Sequence, residues 1–420
     1  ETGGQRSSNI GNACMKKPIA LILCGGNGER MRPWSDKRHK CLFGVEGGET
    51  ALARHLRFVR KQCKPVVFAP ADRWSEFEEY EAEFFFEKKR AGTGSKLLAT
   101  VRRYPGRNIL VVYGDVWFHE SCYERMLTHL AYTENIRLMT ELVPRERKDW
   151  RGIIGVSDRD VVCVPSTAGY DKVRFPQFHA ALDCFGTDVL KRLARRLRGP
   201  DLDLMDDVVQ HAIAHGDHVE AVHFPYLPET VSADLGTPER YARYICRAYR
   251  QKIGFPDIFG EAEAALAVAR AKRVLICGNG GSAHIALHAA LDWAKAGGKW
   301  TECLAEVGLV TAHGNDDGFE NSFSNQLTAK RISTGDVLVC FSASGDSPNV
   351  VKAATAARAL GAQVVGVTGV FPNRLLPLCN VAAVISHKLN AGTWGYGPIE
   401  DGMQVWAHAV TAVAEGLAPR

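Results

Sequence analysis

The chain has 420 residues, more than one hydrophobic core usually organises, so two domains are expected. Hydrophobic residues make up 46% of the chain and the net charge is +5, spread along its length. No apolar run reaches the roughly 18 residues of a membrane span, and no basic stripe suits nucleic acid. These features exclude a membrane protein and argue against a nucleic-acid partner.

The start of the chain and its cysteines predict the cellular setting. Residues 1–15 are polar and small, without the apolar region of a secretory signal, so we expect a disordered leader. The twelve cysteines include no CxxC pair and lie mostly in apolar runs. We therefore expect buried, reduced thiols and a cytoplasmic protein.

Strand-like and helix-like segments alternate from Pro18 onward. IALILCGG, PVVFAP and RNILVVYGD have strand character, and helical patterns separate them. Such alternation predicts βα units around a mostly parallel sheet. A strand-rich, irregular region follows, and then a helix with Thr237 as N-cap and Pro238 at its first position. This part, residues 16–250, is predicted to be one α/β domain.

A second alternating series occupies residues 251–420. Gly and Pro in QKIGFPD interrupt the preceding helix, which predicts a domain boundary near residues 250–256. Strand-like KRVLICG, GDVLVCFSAS and AQVVGVTG then alternate with helical segments. We predict a second α/β domain with a doubly wound parallel sheet.

A glycine-rich turn, LILCGGNGERMRP, follows the first strand. Gly25, Gly26 and Gly28 allow backbone N–H groups to approach a triphosphate, and Arg30 lies within reach of the same turn. A purely structural turn would also explain the glycines.

Two carboxylates and a lysine add to this turn. Asp115 ends a predicted strand, where open α/β sheets bind ligands, and Asp234 precedes LGTP near the end of the domain. Paired carboxylates are ligands that Mg²⁺ prefers when it bridges phosphates. Lys40 supplies a mobile cation for the transferring group.

In order along residues 16–250, LILCGGNGERMRPWS, Lys40, GTGSKLLA, VYGD and ADLGTPERY resemble the sugar-1-phosphate nucleotidylyltransferases. The resemblance implies a GT-A or Rossmann-like domain in which a sugar 1-phosphate attacks the α-phosphorus of an NTP and releases pyrophosphate. It implies that the glycines and Arg30 hold the triphosphate, with Lys40 as the motif lysine. It also implies that Gly92 and Thr93 lie by the nucleobase and that Asp115 and Asp234 hold Mg²⁺.

The chain departs from that family at two places. Cys41 stands where the family has a proline, and no Glu-Lys-Pro segment is evident around Val173–Phe178. The resemblance favours GTP with a heptose 1-phosphate, while CTP, UTP and dTTP stay open.

The second domain contains a serine-rich loop and a possible metal site. Ser342, Ser344 and Ser347 lie between a predicted strand and a helix, where hydroxyls and the helix N-terminus suit a phosphate dianion. Helix capping is the alternative. His288 and Asp292 share one helix face at i, i+4, and Glu400 with His408 adds a distant second pair of metal-ligating residues.

Residues 255–420 resemble the SIS (sugar isomerase) domains, most closely the sedoheptulose 7-phosphate isomerases, through GNGGSAHIALHAALDWA, HGNDDGFENSFSNQL and the serine loop. The resemblance implies a flavodoxin-like fold, assembly into a tetramer and bound Zn²⁺. It also implies conversion of a ketose phosphate to an aldose phosphate. It implies that Asn279 and Ser282 contact the sugar and that the serines bind phosphate. It further implies a metal and acid/base set of His288, Asp292, Glu400 and His408, with Asp292 as base and His408 as acid.

Four positions differ from the isomerase pattern. Asp292 replaces a glutamate, Glu400 a glutamine and Gly397 an aspartate, and Ala343 stands where the family often has threonine. Together the two domains predict a bifunctional enzyme of nucleotide-activated heptose supply. The alternatives are a SIS domain that binds phosphosugar or oligomerises without catalysis, and an inactive N-terminal domain.

Overall fold

The computed structural model describes residues 16–26, 28–142, 153–157, 160–163, 176–224, 232–298, 300–369, 372–386 and 395–417. The predicted leader, residues 1–15, lies outside them, as do residues 173–175 of the 173–178 stretch. By contacts the chain forms two compact units, Glu1–Asn27 with Ala51–Ala233 and Gly28–Thr50 with Asp234–Arg420. The domain boundary expected near residue 250 stays a prediction.

Strands and helices alternate along both halves of the described chain. The strands are β1 Ile19–Leu23, β2 Lys64–Pro70, β3 Glu83–Glu87, β4 Ile109–Tyr113, β5 Val116–Phe118, β6 Ile136–Leu142, β7 Ile153–Ser157, β8 Asp160–Cys163, β9 Pro176–Phe185, β10 Val219–Phe224, β11 Ser232–Asp234, β12 Ile258–Phe259, β13 Arg273–Cys277, β14 Trp300–Cys303, β15 Val337–Phe341, β16 Gln363–Thr368 and β17 Val381–Ile385. The helices are α1 Trp34–Lys37, α2 Ala51–Val59, α3 Thr93–Arg103, α4 Glu120–Tyr132, α5 Thr187–Arg196, α6 Gln210–Ala214, α7 Pro238–Lys252, α8 Glu261–Arg270, α9 Gly281–Gly297, α10 Val307–Asp316, α11 Ser324–Ala329, α12 Pro348–Ala359 and α13 Gly397–Leu417.

The first unit is built on a nine-stranded mixed sheet in the order β3-β2-β1-β4-β9-β6-β10-β8-β7. Strands β1 to β4 are mutually parallel where they pair, so their carboxyl ends meet at one edge. β9 runs antiparallel between β4 and β6 and ends the parallel part. The predicted α/β class is confirmed, with parallel strands where the βα alternation was regular.

A left-handed residue shapes β9. Ala181 has φ of 65°, a conformation that L-residues other than glycine rarely adopt. The resulting irregularity brings His179 and Asp183 together on one side, with 2.8 Å between Nε2 and Oδ1. Both side chains are buried, and the ring of Tyr113 from β4 lies edge-on to His179. A regular strand would keep residues four apart from touching.

The second unit contains a six-stranded sheet in the order β12-β17-β16-β15-β13-β14. Strands β13 to β17 pair in parallel, and the two-residue β12 joins antiparallel at the edge of the sheet. This confirms the predicted doubly wound sheet. Helix α7 begins as predicted, because Thr237 Oγ1 accepts the Arg240 amide at 3.3 Å and Pro238 takes the first position.

Residues 28–50 also belong to this unit, although the sequence analysis assigned them to the N-terminal domain. The guanidinium of Arg270 lies over the ring of Trp34, 5.7 Å from its centroid. In the middle of the unit, Trp293 of α9 and Trp406 of α13 meet edge to face, both almost fully buried. The Trp293 indole N–H also donates to the Ala407 carbonyl at 3.0 Å.

No described helix is long and apolar enough to cross a lipid bilayer. Ten of the cysteines within the described ranges are free thiols, and eight of these ten are buried.

Candidate functional sites

The glycine turn after β1 lies against a buried ion pair. A methyl group at Gly25 would stand 2.1 Å from Nζ of Lys96 and would displace that ammonium. That ammonium pairs with Glu87 at 2.7 Å, and both side chains are largely buried. Gly26, next in the turn, has φ of 115°, which favours glycine. The turn therefore rests on a buried ion pair between α3 and β3.

The start of α3 is held by a loop of the same unit. The Gly92 N–H donates to the Pro200 carbonyl at 2.9 Å, and the Thr93 hydroxyl donates to Asp203 at 3.0 Å. A methyl group at Gly92 would stand 2.2 Å from the Leu202 carbonyl oxygen. Gly92 thus has a packing reason to be glycine, and its proposed role beside the nucleobase stays a prediction.

Asp115 lies half-buried in the turn between β4 and β5, at the carboxyl edge of the parallel strands. Tyr113 lies two residues earlier, and its pKa is held well above the ordinary value. The main cause is burial, followed by the nearby carboxylates of Asp183 and Asp203. The Tyr113 hydroxyl therefore remains a proton donor at neutral pH. The edge offers carboxylates and a phenol, chemistry that suits a cation and a polar ligand.

The remaining predicted nucleotide residues lie in the second unit. Gly28 has φ of 65°, and its carbonyl accepts the Ser35 hydroxyl at 2.8 Å. Arg30 is exposed, and Lys40 is half-buried on a short helical turn. Asp234 accepts the Gly236 N–H at 2.7 Å and forms an ion pair with Arg240. Because Asp115 and Asp234 belong to different units, their shared Mg²⁺ site remains a prediction.

The serine loop of the second unit follows β15. Ser342 Oγ accepts the Gly345 amide at 3.1 Å, and Ser344 Oγ accepts the Asp346 amide at 3.2 Å. Ser347 precedes α12 without a side-chain cap bond. The loop curls at the N-terminus of a twelve-residue helix, whose dipole favours an anion.

The glycine turn after β13 is tied to that loop by two amides. Asn279 and Asn349 exchange two side-chain hydrogen bonds of 2.8 and 2.9 Å, and Asn349 is fully buried. Ser282, also buried, has its hydroxyl 3.8 Å from the Met403 sulfur. Asn349 therefore orients Asn279, and it is a residue that the sequence analysis missed.

Three of the four predicted metal ligands come together. Ligand atoms of His288, Asp292 and His408 all lie within 4.8 Å of one another. His288 Nε2 is 3.1 Å from Asp292 Oδ2 and 3.0 Å from His408 Nε2. Two imidazoles and one carboxylate with a position left for substrate form a donor set that suits catalytic zinc.

The protein environment favours the ligating form of His408. Burial and then the His288 ring lower the pKa of His408, while the Asp292 carboxylate opposes them. The ring is therefore neutral at pH 7, as a metal ligand must be. The Gln404 amide lies 2.9 Å from His408 Nε2, one helical turn earlier. The sequence analysis missed Gln404, although its i, i+4 spacing to His408 was visible.

The fourth predicted ligand, Glu400, lies beside the start of α9. A methyl group on Gly281, at the start of α9, would be 2.5 Å from the Glu400 carboxylate. That position is at the N-terminus of α9, where a carboxylate is stabilised by free N–H groups. Glu400 is not part of the three-residue cluster, so its role as fourth ligand stays a prediction.

Fold and sites together define a chain with a nucleotidyltransferase-type part and a sugar-isomerase-type part. Residues 20–199 match the MobA-like NTP transferase domain, and residues 260–369 match the SIS domain. A solved phosphoheptose isomerase from Neisseria gonorrhoeae is 27% identical, with a TM-score of 0.34, over 42% of this chain and 92% of its own.

The phosphoheptose isomerase of Burkholderia pseudomallei strain K96243 is 34% identical over 161 residues, 37% of this chain and 78% of that protein. That of Nitratidesulfovibrio vulgaris strain Miyazaki F is 39% identical over 132 residues, 30% of this chain and 63% of that protein. Through its SIS domain, this chain belongs to the phosphoheptose isomerase family. It spans between 61 and 66% of the length of the relatives from N. vulgaris and Rhodospirillum rubrum.

Replacing Lys96 with Met tests the ion pair beneath the first glycine turn. The change leaves Glu87 largely buried without its cation, so we expect a loss of about 3 kcal/mol in unfolding free energy. Urea denaturation measures it. Lys64→Met removes the partner of Glu83 from a more exposed pair and is expected to cost about 0.5 kcal/mol. Equal losses in both variants would contradict the buried-pair interpretation.

Zinc content after dialysis tests the metal cluster. We expect one Zn²⁺ per chain, lost in His288→Ala and retained in Glu400→Ala, because the Glu400 carboxylate lies at the start of α9. Gln404→Ala should also retain zinc, because the Gln404 amide contacts the same His408 nitrogen that faces His288, and that nitrogen cannot accept this hydrogen bond while it binds a metal. If Glu400→Ala loses zinc as fully as His288→Ala, Glu400 is the fourth ligand that the sequence predicts.

Proposed function

We propose that this chain is a bifunctional enzyme of nucleotide-activated heptose synthesis. Its SIS domain would isomerise sedoheptulose 7-phosphate to an aldose heptose 7-phosphate. Its N-terminal domain would transfer a nucleotidyl group from an NTP, GTP being favoured, to a heptose 1-phosphate. The carrying observation is the His288–Asp292–His408 cluster, which joins α9, the helix after the glycine turn that follows β13, to α13.

The isomerase reaction requires a proton to move between adjacent carbons while charge on the carbonyl oxygen is stabilised. Zn²⁺ held by His288, Asp292 and His408 would polarise that oxygen. Asp292 is proposed as the base. Its contact with His288 supports the view that aspartate, although shorter than the family's glutamate, still reaches the metal cluster. Neutral His408 would exchange a proton with the substrate hydroxyl. Ser342, Ser344 and Ser347 would bind the phosphate, and Asn279, oriented by Asn349, the sugar hydroxyls.

Nucleotidyl transfer requires positioning and charge neutralisation rather than a covalent intermediate. We assign the triphosphate to the turn of Gly25, Gly26 and Gly28, with Arg30 and Lys40 as its cations. Asp115 and Asp234 would hold Mg²⁺. The Lys96 ammonium under Gly25 already pairs with Glu87, so in this proposal Arg30 and Lys40 supply the positive charge for the triphosphate. Other enzymes would carry out the phosphorylation and dephosphorylation steps between the two reactions.

We also infer self-association through the SIS domain, in a tetramer. Helix α10 has no buried residue, and its apolar side chain Val307 is 72% exposed. Leu287 and Leu291 of α9 and Phe319 are exposed as well. Exposed apolar side chains on α9, on α10 and at Phe319 favour burial against another copy. The assembly would operate in the cytoplasm.

The isomerase proposal is tested with sedoheptulose 7-phosphate and an assay for aldose formation. His408→Ala should lower kcat by about 10³-fold, since it removes both an acid and a metal ligand. His218→Ala, at an exposed histidine of the first unit, should have no effect. A wild-type chain that binds the sugar phosphate without turnover would make the SIS domain a binding module instead.

The nucleotidyl proposal is tested by pyrophosphate release from GTP, CTP, UTP and dTTP with heptose and hexose 1-phosphates. We expect activity with GTP and a heptose 1-phosphate. Asp115→Asn should lower kcat by more than about 100-fold through loss of a Mg²⁺ ligand, while Asp188→Asn, on the exposed start of α5, should not. Full activity in Asp115→Asn would refute the assignment of that residue.

A further inference from the structure

Helix α13 connects two sets of functional residues. Its middle carries Gln404 and His408 of the metal cluster, and its last turn reaches Gly416. Residues 39–46 lie near that turn, and we call them the Lys40 segment. All of these residues belong to the second compact unit.

The Lys40 segment is held by three contacts at its centre. The Gly44 N–H donates to the Gly416 carbonyl at 3.3 Å. The Tyr241 hydroxyl of α7 donates to the Gly44 carbonyl at 2.6 Å, and the Tyr241 ring lies edge-on to Phe43. Phe43 and Tyr241 are fully buried, so these hydrogen bonds are sheltered from water.

Gly416 allows this close approach. A methyl group there would stand 1.7 Å from the Tyr241 hydroxyl oxygen and 3.3 Å from the Gly44 carbonyl oxygen. A side chain on Gly44 would in turn lie 3.4 Å from the Gly416 Cα. The end of α13, the side chain from α7 and the backbone of the segment therefore fit together only with glycine at 416.

The position of Gly44 determines that of Lys40. Lys40 begins a short helical turn whose Phe43 N–H donates to the Lys40 carbonyl at 3.3 Å. One residue earlier, the Leu42 N–H donates to the His39 carbonyl at 2.9 Å. A turn closed by such bonds moves as one body, so a shift of Gly44 shifts Lys40.

On the basis of these contacts we propose that the last helix of the SIS domain is a positioning element for nucleotidyl transfer. Tyr241 and Gly416 are positioning residues, because they act through Gly44 on Lys40 and do not contact the reacting phosphate. The inference rests on the proposed role of Lys40. The SIS domain then serves the transferase structurally, whether or not it isomerises a sugar.

The experiment uses the full chain and three variants: Tyr241→Phe, Gly416→Ala and the two combined. Tyr241→Phe should lower the kcat of nucleotidyl transfer by about fivefold, as expected for one lost hydrogen bond. Gly416→Ala should lower it by about 100-fold, because a displaced cation no longer meets the transition state. The double variant should recover part of this loss, since removing the hydroxyl makes room for the methyl group.

Two controls separate positioning from general damage. Glu415→Ala, at the exposed neighbour of Gly416, should leave both activities unchanged. Isomerase activity should remain within about twofold in every variant, because His408 lies two turns away from Gly416. A parallel loss of both activities, or no recovery in the double variant, overturns the inference.

Amide hydrogen exchange of the Lys40 segment tests the contact without any nucleotide. Gly416→Ala should speed exchange there, and Glu415→Ala should not. Equal exchange in Gly416→Ala and wild type overturns the inference. A wild-type chain that protects this segment but releases no pyrophosphate from any NTP contradicts the proposed function instead, and the two failures are thus distinct.

Discussion

The contact between Trp293 and Trp406 sets the geometry of the second unit. Their rings meet edge to face, and the Trp293 indole N–H donates to the Ala407 carbonyl. These contacts fix α9 and α13 along and around their axes, which places His288 opposite His408. Large buried aromatic side chains suit this task because they bury much apolar area in few conformations. The metal cluster thus depends on packing that contains no ligand at all.

Strand positions and the doubly wound sheet of the SIS domain followed from apolar periodicity, because parallel strands buried on both faces have continuous apolar runs such as VLICG. The pairing of His288 with Asp292 followed from helical spacing. The place of Glu400 did not, since spacing shows which side chains share a helix face and not which neighbouring element that face meets. Asn349 orients Asn279 through two side-chain hydrogen bonds, and such a supporting residue has no motif of its own.

Other features depend on contacts that no local pattern contains. The first glycine motif is continuous in sequence, yet Gly25 and Gly28 belong to different compact units. The segment from residue 28 to residue 50 joins the second unit because α7 and α13 pack on it, through residues about 200 and 370 positions further along the chain. Lys96 would be expected on a helix surface from its charge, and only the fold shows it buried beneath Gly25. Ala181 adopts a left-handed conformation that its residue type does not predict.

Strand β3 has a consequence for the behaviour of the protein in concentrated solution. Among the described strands it ends the nine-stranded sheet, and its sequence EFFFE places three phenylalanines in a row at an edge. Such edges template intermolecular pairing unless charges protect them. Glu83 is one such charge, and its hydrogen bond with Lys64 lowers its pKa. Glu83 therefore stays ionised at an acidity that would protonate an ordinary glutamate, so this edge strand keeps a salt-bridged, strongly hydrated residue beside its phenylalanines.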